Sequence, residues 1–332
     1  MVTAPATTAP SIGRVQAATG WYDWLVLAAG VWLVGGGYTD AWAHNHVALL
    51  DTFFTPWHGV LYSGFAACAV VLGGRWLRDR SVPAGYELSV IGVVLFGVGG
   101  LLDMIWHTVF GIERQIAAIL SPSHLLLIVA MGLVVTGPVR AARPQTGGRA
   151  PVIAVLGAAL VFAYLGLVTQ FAQPYYDRLA ANPFRTMAPY NLSVTVGMFG
   201  VMLQSALLVG LVVSLRRRFE LPFGALTLIV GLQGLLLGIE HNLDFMVLVA
   251  VLGGLAGDVM LLFLRNRPAV FAFAFPAALY AFYIVSLQLV YGTWWEIHAV
   301  TGIAAVAGIT GWLVNAVLQR VEPAGRGLTP VL

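Results

Sequence analysis

Two segments of the chain place an imidazole four residues after a carboxylate. Asp40-Ala-Trp-Ala-His44 and Asp103-Met-Ile-Trp-His107 both read D-x3-H. Each is followed by a second motif, Thr55-Pro56-Trp57-His58 and Ser121-Pro122-Ser123-His124, which reads [ST]-P-x-H. On a helix, residues four apart share a face, so the Asp and His of each pair can address one centre. Thr and Ser are good N-caps and Pro is favoured at the first helical position, so His58 and His124 are expected in the first turn of the helix that follows. If that helix returns antiparallel, its His arrives at the depth of the preceding pair. One carboxylate with two imidazoles is the ligand set of non-haem iron and also suits copper or zinc. Asp103, His107 and His124 are therefore the expected metal ligands. Asp40, His44 and His58 are expected either to share that centre or to hold a second ion.

Further ionisable groups join these motifs. His46, two residues past His44, is a ligand candidate if the chain there is a loop. Glu113, six beyond His107, reads as a bridging carboxylate, a catalytic base or a partner of Arg114. Glu240-His241-x2-Asp244 puts three ionisable groups within five residues at a hairpin tip. Glu240 there is a candidate acid–base group and His241 a candidate ligand, against a merely solvated tip. Trp294 and Trp295 near His298 read as aromatic-belt anchors. Asp258 reads either as an ion-pair partner of Arg265 or as a proton-path residue.

The elements that must position these groups are apolar helices. Of 332 residues, 59% are apolar and only 9% charged, which excludes a soluble domain and a disordered chain. A spanning helix needs roughly 20 apolar residues, and ten stretches qualify: 21–40, 54–74, 86–107, 121–140, 151–171, 190–215, 222–240, 243–264, 268–290 and 296–318. All 17 basic residues are Arg. With the N-terminus inside, fourteen fall in inner segments and three outside, the bias of the positive-inside rule. Both termini are then cytoplasmic, in a cell (inner or plasma) membrane, and all seven histidines lie at the outer ends of helices or in outer loops. The reading is an all-α polytopic bundle of about ten helices with a duplicated N-terminal hairpin. Residues 1–20 form a disordered cytoplasmic tail and 21–140 the duplicated four-helix half. Six further helices follow in 141–320, then a cytoplasmic tail at 321–332. Segment 172–189 is either a lid over the outer site or a passive loop. The lone Cys68 excludes an intrachain disulfide and a CxxC motif. Short Arg clusters between apolar runs speak for topology and against a nucleic-acid partner. The composition leaves room for a homo- or hetero-oligomer.

Asp103-x3-His107 with the later His124 resembles the helix pair that binds metal in the C subunit of copper membrane monooxygenases. The resemblance covers these three residues and their repeat at Asp40, His44 and His58. It implies copper ahead of iron or zinc, and oxidation of a small apolar molecule. A metal-dependent oxidase or monooxygenase acting on a small apolar or lipid-like substrate is the leading expectation. The alternatives are a transporter or metal-handling protein using the outer His/Asp layer, and a zinc-dependent membrane hydrolase. A haem reading would need two axial His facing each other, and leaves the paired carboxylates unexplained.

Overall fold

The computed structural model describes residues 20–47, 53–112, 116–241 and 244–320. Ten main helices run through them: α1 Gly20–His46, α2 Pro56–Asp79, α3 Glu87–Phe110, α4 Pro122–Ala141 and α5 Val152–Val168. There follow α6 Tyr190–Arg218, α7 Ala225–His241, α8 Asp244–Phe263, α9 Pro268–Tyr291 and α10 Ile297–Arg320. No strand forms among the described residues.

Seven of these helices are long and apolar enough to cross a membrane: α2, α3, α4, α6, α8, α9 and α10. The chain is a multi-pass membrane protein. The other three depart from the sequence expectation for identifiable reasons. Helices α5 and α7 have 17 residues each, about 25 Å at 1.5 Å per residue and short of a hydrocarbon core of roughly 30 Å. In α1, Asp23, Asp40 and a Gly35-Gly36-Gly37 run dilute the apolar residues.

The shortness of α5 reflects its place. It is apolar on every side, and such a helix belongs in the middle of a bundle. Twelve of its 17 residues are buried, against α1, α4, α6 and α7. Beyond Thr169 the chain turns through Gln170–Ala172 and Pro174–Asp177. Segment 170–189 then docks on the α9–α10 connection and the start of α6. The indole of Trp294 donates to the Leu179 carbonyl and that of Trp295 to Ser193 Oγ, while Ser193 Oγ donates to Leu179 O. So these two Trp pin a loop to the bundle, where the sequence suggested anchors in lipid. Asp177 lies in this segment, and burial pushes its carboxyl up to about 7.

Sequential helices pair as α1–α2, α3–α4, α7–α8 and α9–α10. Glycine sets the first two contacts. A Cβ on Gly36 would lie 2.6 Å from Leu61 Cα, and one on Gly64 2.8 Å from Leu33 Cα, so α1 and α2 touch backbone to backbone. In α3–α4, a Cβ on Gly99 would lie 3.0 Å from Leu127 Cδ2, and one on Gly92 2.7 Å from Ala130 O. Small residues permit such approach inside a membrane, where packing drives helix association.

At the opposite end, Asp258 of α8 caps α7. Its carboxylate accepts from Leu226 N at 3.0 Å, Thr227 N at 2.9 Å and Thr227 Oγ1 at 2.6 Å. A helix start leaves amide donors without intrahelical partners, and a carboxylate answers both those donors and the helix dipole. The contacts assign Asp258 to helix capping, with neither the ion pair nor the proton path needed to explain it.

Three outcomes follow. Asp258→Ala removes a buried acceptor from two amides and a hydroxyl. It should destabilise the protein by roughly 1–3 kcal/mol, read as a lowered Tm in detergent. Gly36→Val forces α1 away from α2 and should cost about 1–3 kcal/mol through overpacking, again read by Tm. Asp177 has a folded-state pKa raised above its unfolded value. Its contribution to stability is therefore complete below about pH 4, the unfolded value, and is lost as pH rises through about 7. Asp177→Asn should flatten the fall in Tm between those limits.

Candidate metal centre

The ends of α1, α3, α5 and α7 meet the starts of α2 and α4 at one end of the bundle. The two [ST]-P-x-H motifs act as their residue types require. Thr55 Oγ1 accepts from His58 N at 3.2 Å and Ser121 Oγ from His124 N at 3.4 Å, with Pro in each first turn. The same hydroxyls reach the rings: Thr55 Oγ1 lies 3.3 Å from His58 Nδ1 and Ser121 Oγ 2.6 Å from His124 Nδ1. Each cap thus fixes both the helix start and the direction of its imidazole, turning Nε2 inward.

There the Nε2 atoms meet the carboxylates of the D-x3-H pairs. His44 Nε2 lies 3.7 Å and His58 Nε2 3.5 Å from Asp40. His107 Nε2 lies 3.5 Å and His124 Nε2 3.3 Å from Asp103. Each Asp thus faces two imidazoles, but the sets differ: the donor atoms of Asp103 and His107 close up with those of His58, and His124, expected as their third ligand, reaches Asp103 without joining that group. The rings of His58 and His107, 6.0 Å apart between centroids, join the two halves. Donor atoms of Asp40, His44 and His58 lie within 4.8 Å of one another, as do those of His58, Asp103 and His107. These His/Asp groups can hold a metal ion. Two ligands about 2.1 Å from a tetrahedral ion stand roughly 3.4 Å apart, the range of the four Asp–His distances.

The proton positions favour ligation. The Phe53 carbonyl can only accept, so His58 Nδ1 donates to it, at 2.6 Å. His107 Nδ1 likewise donates to the Gly111 carbonyl at 3.3 Å. That carbonyl is presented by a turn in which Gly111 has φ +81°. The neutral tautomer then has its lone pair on Nε2, the atom facing the carboxylates. His58 Nε2 is buried and makes no hydrogen bond. Asp103 is 1% exposed, and Ser123 Oγ donates to it at 2.9 Å.

The remaining candidates separate from this cluster. His46 is exposed, stacks on Trp42 and bonds its carbonyl through Nδ1 at 2.9 Å, outside both groups. Glu240 is 2% exposed, and its carboxylate accepts from Gln170 Nε2 at 3.0 and 2.8 Å and from Asn45 Nδ2 at 3.4 Å. It belongs to a second polar knot beside the cluster. His241 closes α7, and Glu113 lies outside the described residues. His298 is exposed at the start of α10.

Sequence reasoning missed Tyr62. It sits one turn after His58, with ring centroids 6.3 Å apart, and its buried hydroxyl makes no hydrogen bond. Gly100 leaves it room, since a Cβ there would lie 2.6 Å from the Tyr62 ring. The spacing His58-x3-Tyr62 was the available signal. It also missed Gln170 and Asn45, whose link to Glu240 is purely tertiary.

A cavity of about 140 Å³ adjoins the cluster, touching Asp40, His44 and His124 on one side and apolar side chains on the other. No family model matches this chain, and no curated protein or solved structure matches it significantly.

Proposed function

We propose that this chain is a metal-dependent oxidoreductase of the cell membrane, with a centre at the extracytoplasmic face acting on a small apolar or lipid-like substrate. The observation that carries the reading is the pair of overlapping Asp/His groups, buried or half-buried at one end of an apolar bundle. In the proposed topology all ten helices cross or enter the bilayer, both termini are cytoplasmic, and α1–α2 and α3–α4 are duplicated hairpins. The equivalence of Gly36–Leu61 with Gly99–Leu127, each pair just beneath its Asp and His, supports the duplication.

The centre would hold up to two ions: one on Asp40, His44 and His58, the other on Asp103 and His107, with His58 beside them and His124 as a further donor 3.3 Å from Asp103. Imidazole-rich sets with a carboxylate take copper, iron or zinc, and the motif resemblance places copper first. A redox metal would supply electron transfer to an oxidant such as oxygen. Zinc on the same ligands would instead favour hydrolysis. Ser123 and the Phe53 and Gly111 carbonyls would orient the ligands, an arrangement typical of metal-bound His.

The test is metal analysis of the full chain purified in detergent and reconstituted with Cu(II). Up to two copper ions per chain are expected. His58→Ala or His124→Ala should each remove about one ion, and the double variant both, with size-exclusion behaviour unchanged. Copper content indistinguishable from that of the double variant in the wild-type protein would overturn the reading.

A further inference from the structure

The strongest unassigned feature is the cavity beside the metal-centre candidates. Its apolar wall comes from four helices, with Leu61 of α2, Phe96 of α3, Leu127, Ile128 and Met131 of α4, and Val168 of α5. Its polar side is Asp40, His44 and His124, the residues assigned above to metal. Asn45 and Gln170 also border it, but their amide N–H groups are turned to Glu240. Among the described residues no Arg lines it, and the chain contains no Lys, so an anionic ligand would meet no countercharge from them. Gly37 contributes to the space, since a Cβ there would lie 2.8 Å from Leu167 Cδ2.

Size narrows the choice further. The volume of about 140 Å³ is close to the roughly 150 Å³ of an apolar cavity that takes up benzene or xenon. A space of that volume takes no more than the end of a long acyl chain, and a charged headgroup would find no countercharge among the described lining residues.

We infer that this cavity binds a small, uncharged, apolar molecule of benzene size or less and holds it against the His/Asp centre. The inference deepens the metal-centre reading and rests on it for the chemistry. The pocket itself is open to measurement without metal.

Fluorobenzene, followed by 19F NMR on the full chain in detergent, is the probe. Metal-free protein should show saturable binding above the signal from empty micelles. Val168→Phe on α5 and Ile128→Phe on α4 fill the space from different walls. Each should weaken binding at least tenfold while the protein stays monodisperse. With Cu(II) loaded, the fluorine relaxation should accelerate in the wild type and not in the filled variants. Hexadecanoate should not displace the probe.

Binding no stronger than to micelles, or binding unchanged in both variants, would overturn the pocket, and displacement by hexadecanoate would overturn the size class. Saturable binding with no copper uptake would instead sink the metal centre and leave the pocket standing, so the two failures are distinguishable.

Discussion

The candidate centre depends on how closely α1 approaches α2 and α3 approaches α4. An Asp on one helix and a first-turn His on the next can face each other only if the two helices pack closely just below them. Gly36 against Leu61 and Gly99 against Leu127 provide that approach. With the pairs this close, the N-cap hydroxyls of Thr55 and Ser121 set the height of each second His. The Asp–His distances of 3.3–3.7 Å then follow from backbone packing as much as from electrostatic attraction. A larger side chain at either glycine would act on ligand geometry from about one turn away.

Much of this was legible in the sequence because local rules carry it. The four-residue Asp–His spacing and the Ser/Thr-Pro cap are backbone statements, and each Asp does face its two His, though His58 rather than His124 closes the group at Asp103 and His107. What was not legible is tertiary. The spacing of Asp258 and Arg265 suggested an ion pair, but Asp258 answers the free amides of α7, a helix that only folding brings beside it. Trp294 and Trp295 have the composition of a membrane anchor, yet their indole N–H groups found partners in the 170–189 segment and α6. Helix α5 met the apolar length criterion as a segment, and the structure ends it at Val168 because the polar turn at Gln170 reaches Glu240. The paired glycines stand at equal distance before Asp40 and Asp103, which extends the sequence pattern to G-G-x2-D-x3-H.

The two halves are not identical, and the difference is physical. Ser123, two residues after the Ser121 cap, donates to Asp103. The equivalent position in the first half is Trp57, which has no hydroxyl and packs on Trp42 at 5.4 Å. A carboxylate already held by a hydroxyl has fewer orientations to lose when it takes a ligand. His58 is wedged between both halves, stacked on Phe53 at 4.9 Å and beside His107, while His124 lies nearer the edge of the cluster.

Burial alone does not require a metal, because a dense hydrogen-bond network could also hold such groups. The argument between the two turns on capacity. The Phe53 and Gly111 carbonyls occupy the Nδ1 protons of His58 and His107, and a neutral imidazole so held can only accept at Nε2. A carboxylate is also an acceptor. An Nε2 lone pair facing a carboxylate thus puts acceptor against acceptor, an arrangement that needs a proton, on the imidazole or on the carboxyl, or a metal ion between them. In an apolar bundle, a single divalent ion can answer one carboxylate and two imidazoles together, whereas protons must be bound ring by ring. The geometry at His58, where a buried Nε2 stands 3.5 Å from Asp40 without a hydrogen bond, is the separation expected of two ligands about one ion.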